Sequence, residues 1–246
     1  MADTTRSLQE NFTEVLKLKS NPVGVRVCKD KEELEKGKKV SLPLNFCQLV
    51  KISAQSKLLL SCPKDKIGCF TAQLILGIRE YNDKDLKYHM LQFSDQEEVA
   101  RQLIKIKPKF KLNEIEGFLV GPPDEFDFDL LFIIVDSAQS LVLLEAFCAA
   151  QGKDLEFKNG VSSALCSYGC AYVYKERKPN LVIPCVGARR YGLFQDDELC
   201  FVFPKEVVDK VLKQLIEFKS KGRLHLPIVQ GFLSPQNKPN YFLKKD

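Results

Sequence analysis

The apolar and polar positions of this chain fall into blocks that switch between the period of a helix and the period of a strand. Leu8, Phe12, Val15 and Leu16 recur on one helical face, and Asn21-Pro22 ends that block. Residues 22–28 (PVGVRVC) alternate and predict a strand, and the charged run 29–39 reads as a loop or exposed turn. From Pro43, Leu44, Cys47, Val50 and Ala54 share a face, so the spacing predicts a helix with Cys47 pointing inward. Residues 58–60 suit a short strand ending at Cys62-Pro63. Gly68-Cys69 opens a further helix with Phe70, Leu74 and Ile78 on its buried side. Ser94 with Glu97 is a capping-box pattern ahead of Val99, Leu103 and Ile106.

The centre of the chain holds its clearest strand–helix unit. Leu130–Val135 (LLFIIV) is apolar throughout, as a strand covered on both faces requires. Asp136 or Ser137 caps the helix whose apolar body runs to Gly152. The pattern then predicts a helix over 162–174, strands over 181–185 and 199–203, and a long amphipathic helix. That last helix carries Val208, Val211, Leu212, Leu215 and Phe218 on one side and stops at Gly222. The tail from Pro227 reads as extended, and the glycines and prolines of 117–123 (GFLVGPP) read as a turn after a short strand.

Helices and strands intermixed in this way define an α/β (or α+β) chain, a mixed sheet packed with helices. With 246 residues and no low-complexity linker, residues 1–246 are expected to form one compact domain. An internal echo suggests two similar halves, about 20–110 and 111–225: each has a cysteine on a helix, then an apolar strand (LLLSC, LVIPC) with a cysteine at its end.

Composition narrows the function classes. Hydrophobic content of 45% against 28% charged excludes a disordered chain. The net charge of +5 is spread over many lysines without a basic block, so no nucleic-acid partner is expected. The first residues lack the apolar core of a secretory signal, and no apolar run approaches the roughly 20 residues of a membrane span. A cytoplasmic protein is therefore expected, and no membrane partner. The nine cysteines then read as thiols or metal ligands rather than a disulfide framework.

Of the nine, Cys148 beside Phe147 and Cys200 beside Phe201 suit plain core packing, and Cys28 leans the same way. Cys47, Cys62, Cys69, Cys166, Cys170 and Cys185 occupy helix starts, inward helix faces and strand ends, where thiolates can converge. Cys69 opens a helix, where unpaired N–H groups favour a thiolate. Cys166 and Cys170 are four residues apart. No C-x-x-C pair occurs and the histidines are His89 and His225, which argues against a small zinc finger or ribbon.

Four segments in order along the chain carry a resemblance. They are NPVGVRV (21–27), FCQLVKISAQSKLLLSC (46–62), CFTAQLILGI (69–78) and NLVIPCVGARRYGLFQDDELCFVFP (180–204). Together they resemble a prokaryotic family known as domain of unknown function number 169, or ArCR. What the resemblance implies is a specific quartet. The family's cysteine positions fall on Cys47 in FCQ, Cys69 eight residues before Gly77, Cys166 in the ALC helix and Cys185 before Arg189. Four thiolates are the ligand count of a 4Fe–4S cluster. The sequence departs from the family where Phe70 follows Cys69 in place of proline. The Cys-Pro pair here is at Cys62, so Cys62 stands as the alternative third ligand, with Cys170 also in reserve.

Arg26 in the first strand and Arg189 beyond Cys185 are candidates for holding an anion or balancing a cluster's charge. Asp196-Asp197-Glu198 reads as a turn, and DEFDFD (124–129) as a solvated loop or a partner contact. No nucleotide-binding glycine motif, metalloprotease helix or nucleophile elbow occurs, so no catalytic residues are identified. Two readings follow. The first is an iron–sulfur protein working with a redox partner in anaerobic metabolism. The second is a metal-free regulatory module that grips a small acidic ligand between Arg26 and Arg189. Homo-oligomers are compatible with either.

Overall fold

The computed structural model describes residues 6–224, 226 and 227. Its frame is one seven-stranded mixed sheet in the order β2-β3-β4-β1-β5-β7-β6. The strands are β1 (Val23–Cys28), β2 (Lys38–Lys39), β3 (Leu60–Pro63), β4 (Gly117–Gly121), β5 (Leu130–Val135), β6 (Asn180–Val182) and β7 (Leu199–Pro204). All pairings are antiparallel except β2 with β3. The order is symmetric about the β1/β5 pair: β3-β4 flank β1 as β6-β7 flank β5.

Strand alternation sorts side chains to the two faces. Leu130, Phe132 and Ile134 of β5, with Cys200 and Val202 of β7 and Val23, Val25 and Val27 of β1, face one core. Leu131, Ile133 and Val135, with Phe201 and Phe203, face the other. The second core is closed by α1 (Leu8–Leu16), α6 (Ser137–Gln151) and α9 (Lys205–Ser220). On the first face lie α2 (Phe46–Ser56), α3 (Phe70–Ile75), a π-helix (Leu165–Ala171), α7 (Tyr172–Glu176) and α8 (Val186–Gly192). At the centre of that face Phe46 stands edge-on to Phe118 and Phe132, at 5.1 and 5.8 Å between ring centres. Two further helices, α4 (Asp83–Phe93) and α5 (Glu97–Lys105), pack on each other. Among the described residues no helix is long and apolar enough to cross a membrane.

Several boundaries differ from the sequence pattern. The expected strand over 181–185 ends at Val182, and Cys185 caps α8 instead. The glycine-flanked segment from Gly117 to Gly121 is strand β4, buried throughout, rather than a turn. Ser94 and Glu97 form no capping box; Ser94 ends α4, and its hydroxyl accepts the Gln96 N–H at 3.2 Å. The expected helix over 162–174 opens as a π-helix. The tail beyond Pro227 and His225 lie outside the described residues.

Candidate functional site

Four cysteine-bearing elements pack on one another over the first face: α2 on α8 and on the π-helix, and α3 on the π-helix. Three of their cysteines sit at helix starts. Asn45 caps α2 through a capping box with Gln48, which places Cys47 at its second residue. Cys69 is the residue before α3, and Cys185 the residue before α8. Helix starts offer unpaired N–H groups and positive dipole ends to anything negative. Cys166 enters on the π-helix, a backbone form concentrated at functional sites. Two side-chain hydrogen bonds fasten that helix to its surroundings. Asn180 Nδ2 donates to Tyr168 O at 3.0 Å, and Ser167 Oγ donates to Pro108 O at 2.7 Å.

Cys47 and Cys166 are both raised by burial, and neighbouring cysteines add to the effect. Burial pushes Cys47 up to about 12, with Cys185 and then Cys69 pushing the same way, while the N–H groups of Gln48 and Cys47 pull it down. Burial also holds Cys166 well above the thiol range, reinforced by Cys69, Cys47, Cys185 and Cys170. Tyr88 is raised by burial and then by Cys185 and Cys69. Cys47 and Cys166 are buried, whereas Cys69 and Cys185 are partly open, so the group meets the surface along one side. Cys69 Sγ shares a hydrogen bond with Thr71 Oγ1 at 3.4 Å.

The other five cysteines stand apart from this group or serve the core. Cys62 is raised to about 12 by burial and then by Asp65. Cys170 is raised by burial and then by Asp129. Cys200 is fully buried beside β5, Cys148 lies in the opposite core, and Cys28 packs with Leu34 and Leu119. Among the described residues no three or more His, Cys, Asp or Glu side chains are grouped so that they could hold a metal ion as they stand. With metal–sulfur bonds of about 2.3 Å, one tetrahedral ion draws its thiolates to within about 4 Å of each other.

The arginine candidates do not meet. Arg26 lies on the sheet face opposite Val25 and Val27, hence opposite the thiols. Its guanidinium is held by Glu33 at 3.0 Å and Asp129 at 3.1 Å, with Asp127 at 3.5 Å. Arg189 on α8 donates to the Gln195 carbonyl and lies 3.9 Å from Asp196. The acidic runs are structural as well. Glu198 pairs with buried Lys51 at 2.6 Å, and Asp124 accepts the Leu8 and Gln9 N–H groups at 2.8 and 3.0 Å, fastening the start of α1.

Sequence reasoning missed the polar groups around the thiols. Lys107 is buried, with 4% of its surface exposed, and its ammonium donates to Ser162 Oγ at 2.6 Å, to Ser162 O at 3.2 Å and to Val161 O. Burial pulls it down to about 8, against the upward pull of Cys185 and Cys166. Ser162 Oγ lies 3.4 Å from His89 Nε2, whose other ring nitrogen meets Asp85 O at 2.8 Å. Burial, joined by Lys107, lowers His89 and favours its neutral form. Asp85 is clamped by Arg79, which also donates to Phe70 O and lies 3.9 Å over the Phe70 ring, directly behind Cys69. Nothing in the sequence distinguishes Lys107 from the other lysines of KIKPKFK; only the fold buries it.

The fold thus defines a class: a three-layer protein with a mixed central sheet and four packed cysteine-bearing elements on one face. The sequence profile of the family described as uncharacterised ArCR, domain of unknown function 169, matches residues 11–214, and the chain belongs to that family. It is similar to an uncharacterised protein of Methanocaldococcus jannaschii, 24% identical over 222 residues covering 87% of this chain and 94% of the relative. No solved structure matches it.

Proposed function

We propose that this protein binds a 4Fe–4S cluster through Cys47, Cys69, Cys166 and Cys185 and works in electron transfer or redox sensing in an anaerobic metabolism. The observation that carries this reading is the packing of four cysteine-bearing elements, α2, α3, the π-helix and α8, on one face of the sheet. A bound cluster would supply a one-electron couple. The chain's own part is to offer the Gln48 and Cys47 N–H groups to the Cys47 sulfur, to bury Cys47 and Cys166, and to leave Cys69 and Cys185 at the edge. With a cysteine for every iron, outer-sphere exchange with a partner protein is favoured over substrate binding at an open iron.

Anaerobic purification followed by iron and sulfide analysis and a visible spectrum tests the reading. The expected result is a brown protein with about four irons and four sulfides per chain. Serine at any of the four positions should lower the iron sharply, whereas Cys62→Ser and Cys170→Ser should retain it. A colourless, iron-free protein overturns the proposal, and retention by Cys47→Ser and Cys185→Ser overturns the ligand assignment.

Gly192 gives a subtler check. A Cβ there would lie 3.0 Å from Cys47 Sγ and 3.2 Å from Cys47 Cβ. Gly192→Ala is therefore expected to displace the sulfur and lower iron content while the protein stays folded by circular dichroism. Parental iron content would show that Cys47 yields without consequence.

A further inference from the structure

The residues after Lys107 alternate in burial: Lys109 and Lys111 are exposed, and Phe110 between them is buried. Two bonds fix this strip against α3, from the Phe110 N–H to Ile75 O at 2.9 Å and from the Asn113 N–H to Gly77 O at 2.8 Å. Between the strip and the C-terminal end of α3 lies an open groove of about 510 Å³. Sites for small molecules are concave spaces of roughly 300–1,000 Å³. The groove lies outside the thiol group: none of its lining residues is a cysteine, and Cys69 stands at the other end of α3.

Its apolar part is made by Leu74, Phe110 and Leu112, and Tyr81, 41% exposed, adds an aromatic ring. The rest of the lining is charged, and the charges do not balance. Arg79 is already matched, its guanidinium bonded to Asp85 at 2.6 and 2.8 Å. Lys109 and Lys111 are not: among the described residues neither ammonium has a hydrogen-bond or ion-pair partner. Neighbouring lysines are spent, Lys64 on Glu116 at 2.9 Å and Lys175 on Glu114 at 3.4 Å. Glu80 is the one acid in the lining. Two free ammonium groups against one carboxylate leave the groove net positive beside an apolar surface. Because the strip is bonded to α3 beforehand, little ordering is left for a ligand to impose.

We propose that this groove binds a small organic acid, a carboxylate or phosphate group carried on an aromatic or aliphatic body. Lys109 and Lys111 meet the anion, and Tyr81, Leu74 and Leu112 cover the body. The site is complete without a cluster, and binding is read without reference to iron content.

Isothermal titration calorimetry of the full chain with phenylacetate, phenyl phosphate, inorganic phosphate and the uncharged 2-phenylethanol tests this. At least one of the two aryl anions is expected to bind saturably, with a dissociation constant of about 1 mM or tighter. Whichever binds more tightly identifies the anion as carboxylate or phosphate. Inorganic phosphate lacks the body and 2-phenylethanol lacks the charge, so each should bind about tenfold more weakly or worse. The double variant Lys109→Gln/Lys111→Gln should weaken the aryl anion by about tenfold, and Glu80→Gln should strengthen it, with melting temperatures unchanged. Lys213→Gln, on α9 in the opposite layer, should bind as the parent does. Absence of saturable binding by either aryl anion up to about 10 mM overturns the proposal. So does 2-phenylethanol binding as tightly as the anions, parental affinity in the double lysine variant, or weaker binding in Glu80→Gln.

Discussion

Gly77→Ala is expected to cost about 3 kcal/mol or more of folding stability, read as a lower midpoint in urea with an unchanged slope. Gly77 follows α3 at φ +69°, in the left-handed region. That conformation alone costs an alanine about 1 kcal/mol. The larger part is steric. A Cβ would stand 2.0 Å from Lys111 O and 2.8 Å from Lys111 C, both backbone atoms that no side-chain rotation can move aside. Relief requires the 110–113 strip to retreat from α3, which strains the Phe110 N–H bond to Ile75 O at 2.9 Å and the Asn113 N–H bond to Gly77 O at 2.8 Å. Each such bond contributes about 1 kcal/mol. Gly152 supplies the control: it sits at φ +64° after α6 with nothing within 4 Å of the added atom. Gly152→Ala should show only the conformational part, about 1 kcal/mol. Equal losses at the two positions would mean that the close approach to Lys111 carries no energy. Because Cys69 caps the start of α3, Gly77→Ala should also lower iron content under the cluster reading.

What was legible in the sequence follows from how locally each feature is determined. The strand Leu130–Val135 was read with its exact limits because both its faces are buried and polar residues bound it. The helices α1 and α9 were legible because each buries one stripe at helical spacing, Phe12, Val15 and Leu16 in one and Val208, Val211 and Leu215 in the other. Cys185 was misplaced at a strand end because α8 buries only Ala188 and Gly192; tertiary contact, not an apolar stripe, makes it a helix. Helix α4 passed unnoticed because its interior residues are Asp85, Leu86 and His89, and Asp85 is interior only because Arg79 pairs with it. The π-helix depends on Asn180 and Pro108, far away in the chain. The site divides along the same line. Residue type marked six cysteines as candidates, and the family pattern selected four. That helix starts present three of them, that Lys107 is buried against the Val161-Ser162 turn, and that Arg26 faces away across the sheet are consequences of topology that no local pattern encodes.

In the metal-free, reduced protein, stability is expected to collapse above about pH 9, because the fold holds thiols that the unfolded chain would release. Burial raises Cys28, Cys47 and Cys62 from an ordinary 9.0 to about 12, and Cys166, Cys170 and Cys200 are raised as well. Below pH 9 both states keep these protons, so their contribution is constant. Between 9 and 12 the unfolded state loses them while the native state retains them, and each thiol then lowers stability by about 1.4 kcal/mol per pH unit. Three such thiols over that window amount to on the order of 10 kcal/mol, comparable with the whole stability of a typical domain. Lys107 works in the opposite direction. Its native value of about 8 lies below the ordinary 10.5, so between these limits the unfolded state binds the extra proton and stability rises with pH. One lysine against at least three thiols leaves a shallow rise from pH 8 to 9 and a steep net loss beyond it. Tyr88, Tyr168, Tyr172 and Tyr174, all raised by burial, add to the loss as the pH passes their ordinary value of 10.0. Urea unfolding of chelator-treated, reduced protein at pH 7, 8, 9 and 10 measures the profile. A loss of a few kcal/mol between pH 9 and 10 is expected, and Lys107→Met should abolish the rise below it. A native state as stable at pH 10 as at pH 9 would show that these thiols ionise in place, and that the core around them admits water.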